Sequence, residues 1–483
     1  MKEPINRQCF IAGWLCTVQF LQSLLRALAL AITLFAKKMY CIKAGIAICA
    51  LYVIIVYFGS YQEWGFDFYS YYVTAAELVS GKNPYHIFFV NNIGRAPHLW
   101  MSANPNLPIT LLFFSILTHF YYMKAFVIWV IFSGALGLFG VYRVCVCFYP
   151  KALTKNSILL ICLAYLSAFP VLMNTALGQL GGLLLFLLAN GYWFYLQKKE
   201  MHAGFWWGLL IALKIFPGLL FVYSMLKKRY RLFFWLLGFS ALWTLFPLFF
   251  IHAEIYRQYL LNINTNISWY GFNWNASIFG FLFRLLVDVK QQKVVDLATG
   301  SVANLIVPNH IQQVFWTKAI FFCIACIALT GFIVFFKRIA GNLKHKDFAF
   351  LVVLMLLLSP LGWGYYFPML LIPLLATMPS AKVNINYFIL LFICLLLLYF
   401  PMPIIHAIQM KSILAKIGVY SLSFYGLLIL AYLTLKINRD PDDKLENDIP
   451  LGLPRVLIGL AILGVIFILL RICTLTFIYS YGL

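Results

Sequence analysis

Asp67 stands in GFDFYSYYVTAAELVSGKNPY, residues 65–85, the polar opening of the first long loop in an otherwise apolar chain. A membrane protein has no packing reason to make that loop acidic, and the chemistry open to a carboxylate there is proton transfer as a general base. The residues after it read as a helix lying on the membrane: Phe68, Tyr71, Tyr72, Ala75, Leu78 and Val79 recur at helical spacing, with Ser70, Thr74 and Glu77 between them. Gly81 ends that helix and Asn83-Pro84 turns the chain. An acid just ahead of an interfacial helix faces water beside lipid, where it would meet a substrate whose tail is in the bilayer.

The other acids thin out by elimination, because the chain holds only 14 Asp and Glu. Asp440, Asp442, Asp443, Glu446 and Asp448 fall in a charged linker, and Glu3, Glu200 and Asp347 sit at ends expected to be cytoplasmic. Glu63, Asp67, Glu77, Glu254, Asp288 and Asp296 remain outside, with His86, His98, His252 and His310 as the other proton acceptors. A solvated loop charge is the ordinary reading of each of these except Asp67.

Some polar residues stand where lipid makes them costly. Lys214 lies in the middle of AGFWWGLLIALKIFPG, where a charge costs roughly 2.5 to 3.5 kcal/mol unless it is paired or faces a wet cavity. It is a candidate for holding an anionic substrate, against the plainer reading of a lysine snorkelling to an interface. Lys82, Arg95 and Arg284 stand behind it as anion binders. Gln179, in NTALGQLGG, opens an apolar segment among Gly178, Gly181 and Gly182, which suit close helix contact better than they explain the glutamine. In SWYGFNWNAS, residues 268–277, Trp269, Tyr270, Phe272 and Trp274 alternate with Asn273, Asn275 and Ser277. Such a stretch suits a carbohydrate face, and a membrane-surface aromatic belt equally.

These residues must be positioned by helices in a bilayer. Of 483 residues, 64% are hydrophobic and 10% charged, and the mean hydropathy is +0.91, which excludes a soluble globule. The formal charge of +22 is spread in short clusters between apolar runs, so it reads as positive-inside topology and attraction to anionic lipid, with no nucleic-acid partner. The 11 Cys lie almost wholly in apolar segments, and no disulfide is expected. Residues 1–38 form a cytoplasmic or interfacial segment, 39–436 the main membrane domain, 437–454 a charged linker and 455–483 a last membrane helix. Lys37, Lys38 and Lys43 place the start of the first span, about 42–58, in the cytoplasm, which puts loops 59–108 and 252–313 outside. Later spans fall near 109–122, 125–148, 157–173, 180–196, 203–224, 232–251, 315–336, 348–358, 364–378, 385–402, 412–435 and 455–476. One conflict stays open: Lys198-Lys199 and Lys227-Lys228-Arg229 both look cytoplasmic, yet one apolar segment separates them. Either that segment is broken, at Pro217, or one cluster is outside.

Several stretches together resemble glycosyltransferase family 87. They are Asp67 with Ala76, Gly81, Pro84 and Tyr85; Gly178-Gln179; Ala203-Gly204 through Gly208 to Lys214 and Pro217; Asn275 and Ser277; and Ser359-Pro360 with Trp363. The resemblance implies an all-α polytopic membrane protein of the GT-C fold, with about 11 to 13 transmembrane helices and outside loops carrying interfacial helices. It implies that Asp67 is the catalytic base. Members often carry histidines after the Ser-Pro-x-x-Trp pattern, whereas this chain reads SPLGWGYYFP, leaving either Tyr365 or Tyr366 to bind sugar or phosphate through the hydroxyl, or His98 or His310 to serve instead.

The expectation is therefore a multi-pass inner (plasma) membrane glycosyltransferase with its active site on the extracytoplasmic side. It would move a mannose-like sugar from polyprenyl phosphate to a lipid-linked or exported glycan, with inversion. No cofactor is expected, and no cluster of ligand spacing suggests a metal. The substrate-binding set is Lys214, Gln179, Lys82, Arg95, Asn275, Trp274, Trp363, Tyr365, Tyr366 and Arg284. A transporter or flippase of a lipid-linked or anionic solute is the competing class, since Lys214, Gln179 and the prolines Pro217 and Pro360 would also fit a midplane site.

Overall fold

The computed structural model describes residues 66–85, 88–90, 99–101, 106–149, 158, 161–162, 164–166, 168–262, 270–295, 302–339, 345–400 and 413–437. All of them belong to one compact unit, Val56–Leu483. The expected N-terminal segment, the 42–58 span, the 437–454 linker beyond Ile437 and the last span lie outside the described residues.

Helix α1 (Phe66–Val79) carries Asp67 in its first turn, where a negative charge suits the N-terminal end of the dipole. Gly81, at φ 71, closes it: Lys82 N bonds Glu77 O and Gly81 N bonds Leu78 O. Phe68, Tyr71, Ala75 and Leu78 form the expected stripe, but they are buried in protein, while Val79 is 60% exposed. Phe68 packs on Phe114 and Phe126, and Tyr71 stacks on Phe114 at 4.6 Å. The helix expected to lie on lipid is thus clamped onto α2 (Pro108–Ser115) and α3 (Tyr122–Phe148).

A short hairpin, β1 (Phe88–Val90) with β2 (Leu99–Met101), pairs Phe89 with Trp100 between α1 and α2. After α3 come α4 (Phe169–Leu177) and α5 (Gly181–Leu196), bent by 116° where they meet. The next helices are α6 (Glu200–Leu213), a 3-10 turn at Phe216–Gly218, α7 (Leu219–Leu226) and α8 (Tyr230–Leu245). The second polar region holds α9 (Glu254–Asn262), α10 (Ile278–Leu286) and a hairpin of β3 (Val289–Val295) with β4 (Val302–Pro308). Its register runs from Val289 opposite Pro308 to Val295 opposite Val302. The remaining helices are α11 (Ile311–Ile339), α12 (Lys346–Leu357), α13 (Leu371–Val383) after a 3-10 turn at Gly364–Leu370, α14 (Ile385–Tyr399), α15 (Ile413–Ile417) and α16 (Leu422–Leu435). The expectation of a helical membrane fold holds, with these two hairpins as additions that the sequence reading did not include. Both sit in polar loops, and an isolated two-stranded hairpin buries too little to impose a strict alternation of apolar and polar residues.

Among the described residues four helical stretches are long and apolar enough to cross a membrane, or five if the bent α4–α5 pair is one span. Within α11, Phe315, Phe322 and Ile327 are largely exposed, as a lipid-facing surface requires. By contrast α12 is buried along almost its whole length and forms the centre of the bundle. Helices α6 and α8 approach closely because Gly204 and Gly208 face Trp235 and Phe239; a Cβ on Gly208 would lie 2.7 Å from that of Phe239.

The open conflict over the lysine clusters resolves in favour of a broken segment. Pro217 has no N–H to give, and its ring would clash with the Leu213 carbonyl four residues back, so α6 ends at Leu213. At 14 residues α6 is roughly 21 Å long, short of a bilayer core. The chain then doubles back, because Arg229 Nη1 donates to Tyr195 O at 3.0 Å and lies 3.9 Å from Glu200 Oε1. Lys227 pairs with Asp347 at the start of α12, at the same end. Cysteines placed at the exposed Lys198 and Lys228 are therefore expected to share one fate. Both should be silent to an impermeant thiol reagent in intact cells, while a cysteine at Gln292 should label; reaction at Lys228 without Lys198 would show that the segment crosses.

Candidate active site

Three backbone breaks bring the site together. The first is the α4–α5 bend. Gly178 adopts φ 67, Gly178 N bonds Thr175 O at 3.0 Å, and Gln179 N bonds Asn174 O at 2.8 Å. A side chain there would be strained twice over, since its Cβ would also lie 2.5 Å from that of Phe68. Trp129 Nε1 holds the bend from α3 by donating to Gly178 O at 2.7 Å. Gln179 is thereby buried at the bend against α1, its Oε1 accepting from the Tyr71 hydroxyl at 3.0 Å.

The second break is the end of α6. Lys214 has extended backbone, φ −147 and ψ 125, and leaves the helix axis. Its Nζ donates to Asn106 Oδ1 at 2.5 Å and lies 5.4 Å from the centre of the Tyr366 ring. Asn106 stands at the mouth of α2, its carbonyl accepting from the Tyr85 hydroxyl at 2.9 Å. The ammonium is thus held by a side-chain oxygen and an aromatic face, an arrangement that answers the cost of burying a charge.

The third break is the 3-10 turn at Gly364–Leu370. Tyr365 and Tyr366 meet edge to face at 4.9 Å, and Tyr366 also stacks on Phe216 at 5.1 Å. Gly181 packs so closely on the Tyr365 carbonyl that the turn and the α4–α5 bend are locked together.

Asp67 closes this arrangement. Its carboxyl lies in the field of Lys214 and within the influence of the Gln179 side chain; Tyr71, Tyr365 and Tyr366 lie in its own field. Among the described acids expected outside, Glu77 pairs with Lys82, Glu254 with Arg257, and Asp288 accepts from Gln313 at the surface. Asp67 is the one drawn inward. Its helix lies outside the membrane spans, and burial holds the carboxyl above its ordinary range despite Gln179 and Lys214, which oppose the shift. The arrangement can hold an anion beside Lys214 and accept a proton at Asp67.

Asp67, Gln179, Lys214, Tyr365 and Tyr366 are therefore brought together from the sequence-predicted set. Lys82 is not: it is exposed, bound to Glu77 at 3.6 Å, and roughly 20 Å along the chain axis from Asp67. Arg95, with Glu63, His86, His98 and Asp296, lies outside the described residues, and His252 and His310 are exposed. Arg284 is buried, its two terminal nitrogens donating to Phe272 O, Asn275 O and Ser421 Oγ. Sequence reasoning passed over two members. Tyr71 was signalled by its place one helical turn after Asp67 on the same face, and Asn106 by its place between Pro105 and Pro108.

Asn275 and Trp274 support the third break from behind. Asn275 Nδ2 donates to Tyr270 O and Pro360 O, and its Oδ1 accepts from Ser277 Oγ and from Gly362 N at 2.9 Å. The Trp274 carbonyl accepts from Gly364 N at 3.0 Å, and Asn275 bridges Trp363, whose ring stacks on Tyr365 at 5.7 Å. The Asn275–Ser277 and Ser359–Trp363 motifs are thus two halves of one latch that sets the tyrosines. Asn275→Ala would strand several buried donors and carbonyls, so a loss of about 2 to 4 kcal/mol is expected. Thermal unfolding of the purified variant checks it; an unchanged midpoint would remove the latch.

Fold and site define a helical membrane protein whose polar centre couples a carboxylate to an ammonium. The family model for glycosyltransferase family 87 matches residues 106–360, more than half of the 483-residue chain, so the chain belongs to that family and is a glycosyltransferase. The matched range takes in Asn106, Gln179, Lys214 and Asn275, and leaves Asp67, Tyr71, Tyr365 and Tyr366 outside it. No curated protein matches the chain.

Proposed function

We propose that the chain transfers a hexose or pentose, mannose first among them, from polyprenyl phosphate to a lipid-linked or exported glycan acceptor, with inversion at the anomeric carbon. The observation that carries this reading is the meeting of Asp67 and Lys214 in one polar centre built on three backbone breaks. Asp67 takes the proton of the acceptor hydroxyl as its oxygen attacks the anomeric carbon on the face opposite the phosphate. The bond from that carbon to the phosphate oxygen breaks, and the electron pair leaves with polyprenyl phosphate. Stabilising the charge on that phosphate is the larger electrostatic demand, and Lys214 is placed to meet it. Tyr365 and Tyr366, which stand where family members often carry histidines, offer hydroxyls to sugar or phosphate. The setting is a GT-C membrane fold of about 11 to 13 spans in the plasma membrane, with the site on the extracytoplasmic face.

Purified protein given polyprenyl-phosphate-mannose and a phosphatidylinositol-mannoside acceptor tests the reading. A product heavier by one hexose, seen by mass spectrometry, supports it. Absence of product across mannose, glucose and arabinose donors would overturn it.

A further inference from the structure

Helix α3, at 27 residues, is roughly 40 Å long against about 30 Å of hydrocarbon, so its ends reach headgroup level. Arg143 precedes its last residue, Phe148, by little more than one turn, roughly 7.5 Å, which sets it where hydrocarbon gives way to headgroups. Phe148 stacks on His345 at 4.4 Å, close to Asp347 and its partner Lys227. Arg143 thus stands at the end of the bundle that carries the lysine clusters. It is half-buried, and its guanidinium carbon lies over two rings, Phe139 at 4.9 Å and Trp193 of α5 at 4.0 Å.

Rings stabilise the charge, but they leave the in-plane N–H groups without an oxygen. Lys214, Lys227, Arg229 and Arg284 each meet one. Among the described residues Arg143 has no ion pair, and its Nε is closed off from solvent with no acceptor. The acceptor that suits it is a phosphate, whose non-bridging oxygens match the guanidinium fork. The neighbouring surface is made for a lipid. Phe132 and Phe139 are exposed and lie two turns apart on one face of α3, and Phe186 and Trp193 are spaced likewise on α5. The two helices run side by side in the same direction, Gly182 against Ser133 and Gly140 against Phe186, and Phe139 meets Phe186 at 5.7 Å. An apolar seam therefore leads from Arg143 toward the middle of the bilayer. A zwitterionic headgroup would bring its own ammonium to an end where Lys198, Lys199 and Lys228 are exposed, and an anionic one would not.

We propose that Arg143, set over Phe139 and Trp193 at the seam of α3 and α5, binds the phosphate of one anionic phospholipid whose acyl chain lies along Phe132 and Phe186. The site is separate from the polar centre. Trp129, which reaches Gly178 there, is roughly 21 Å back along α3 from Arg143. The proposal therefore stands whatever sugar the chain transfers and whichever residue is its base.

Native mass spectrometry of the purified full chain, stripped of lipid in detergent, tests it by titration with phosphatidylglycerol and with phosphatidylcholine of the same acyl chains. One phosphatidylglycerol should bind roughly 10-fold more tightly, and Arg143→Gln should abolish that preference by removing one charge-assisted contact. Arg143→Lys keeps the charge without the fork and should be intermediate. Lys198→Gln, which takes a charge from the same end, should leave the preference as it was. Equal binding of the two lipids by the natural chain overturns the proposal, and is what an arginine merely reaching for the headgroups gives. A preference that survives in Arg143→Gln overturns it too, as does one lost equally in Lys198→Gln, the mark of diffuse attraction to a basic end. An unchanged preference in Arg143→Lys is equally fatal, which keeps the test decisive should Arg143→Gln fail to fold. Inorganic phosphate alone should not bind; if it binds as tightly as the lipid and with the same dependence on Arg143, the lipid assignment is overturned.

Discussion

Asp67→Asn is expected to lose transfer by roughly 100-fold to 10,000-fold, the range that general-base catalysis contributes. The substitution keeps size and hydrogen bonding, so insertion, thermal stability and donor binding should persist. An asparagine amide can still meet Gln179, but it cannot hold a proton drawn from an acceptor hydroxyl. Turnover of the purified variant, with donor binding measured in parallel, checks this; near-normal turnover would sink the assignment. The same residue sets the pH dependence. Burial pushes the Asp67 carboxyl above its ordinary value near 4, with Gln179 and Lys214 opposing the shift. Only the ionised form accepts a proton, so kcat/KM should fall as pH drops through that raised value and level off above it. The acid limb belongs at higher pH than an exposed carboxylate would give. In Asp67→Asn the residual rate should lose that limb.

What the sequence revealed and what it hid follow from the range of the interactions involved. Asp67 and Lys214 were legible because each breaks a strong local rule: an acid opening an apolar helix, and a cation inside an apolar run. Gln179 stood out for the same reason, and the glycines around it showed close packing without showing the bend. Lys214 was readable as out of place, but its partner was not. Asn106 lies 108 residues earlier, and no periodicity links the two. The re-entrant turn needed one further fact, the contact of Arg229 with Tyr195, to decide between two topologies that the lysine clusters left equal. Aromatic and amide residues in SWYGFNWNAS advertised a ligand face, yet Asn275 bonds to Tyr270, Pro360, Ser277 and Gly362. A buried amide that satisfies distant backbone has the same composition as one that binds sugar, so the sequence alone could not separate them.

Lys214→Met separates a phosphate-binding lysine from one that merely reaches for an interface. A snorkelling lysine loses an anchor when changed to Met, and the apolar stem that packs against neighbouring helices is preserved. Lys214 is not arranged that way: its ammonium is tied to Asn106 Oδ1 and lies over the Tyr366 ring, in the field of Asp67. A charge-assisted contact to a donor phosphate in such a low-dielectric site is worth about 1.5 to 3 kcal/mol, so donor affinity or turnover should fall by roughly 10-fold to 150-fold. Lys214→Arg keeps the charge while changing its shape and reach, and should be intermediate. The two variants are compared at matched expression and thermal stability, with donor binding and single-turnover rate measured separately. A fall in binding with the rate preserved would place the lysine on the ground-state phosphate, and a fall in rate alone would place it on the charge that develops as the phosphate leaves. Unchanged values for both in Lys214→Met would take this residue out of the site and leave Arg95 as the phosphate candidate.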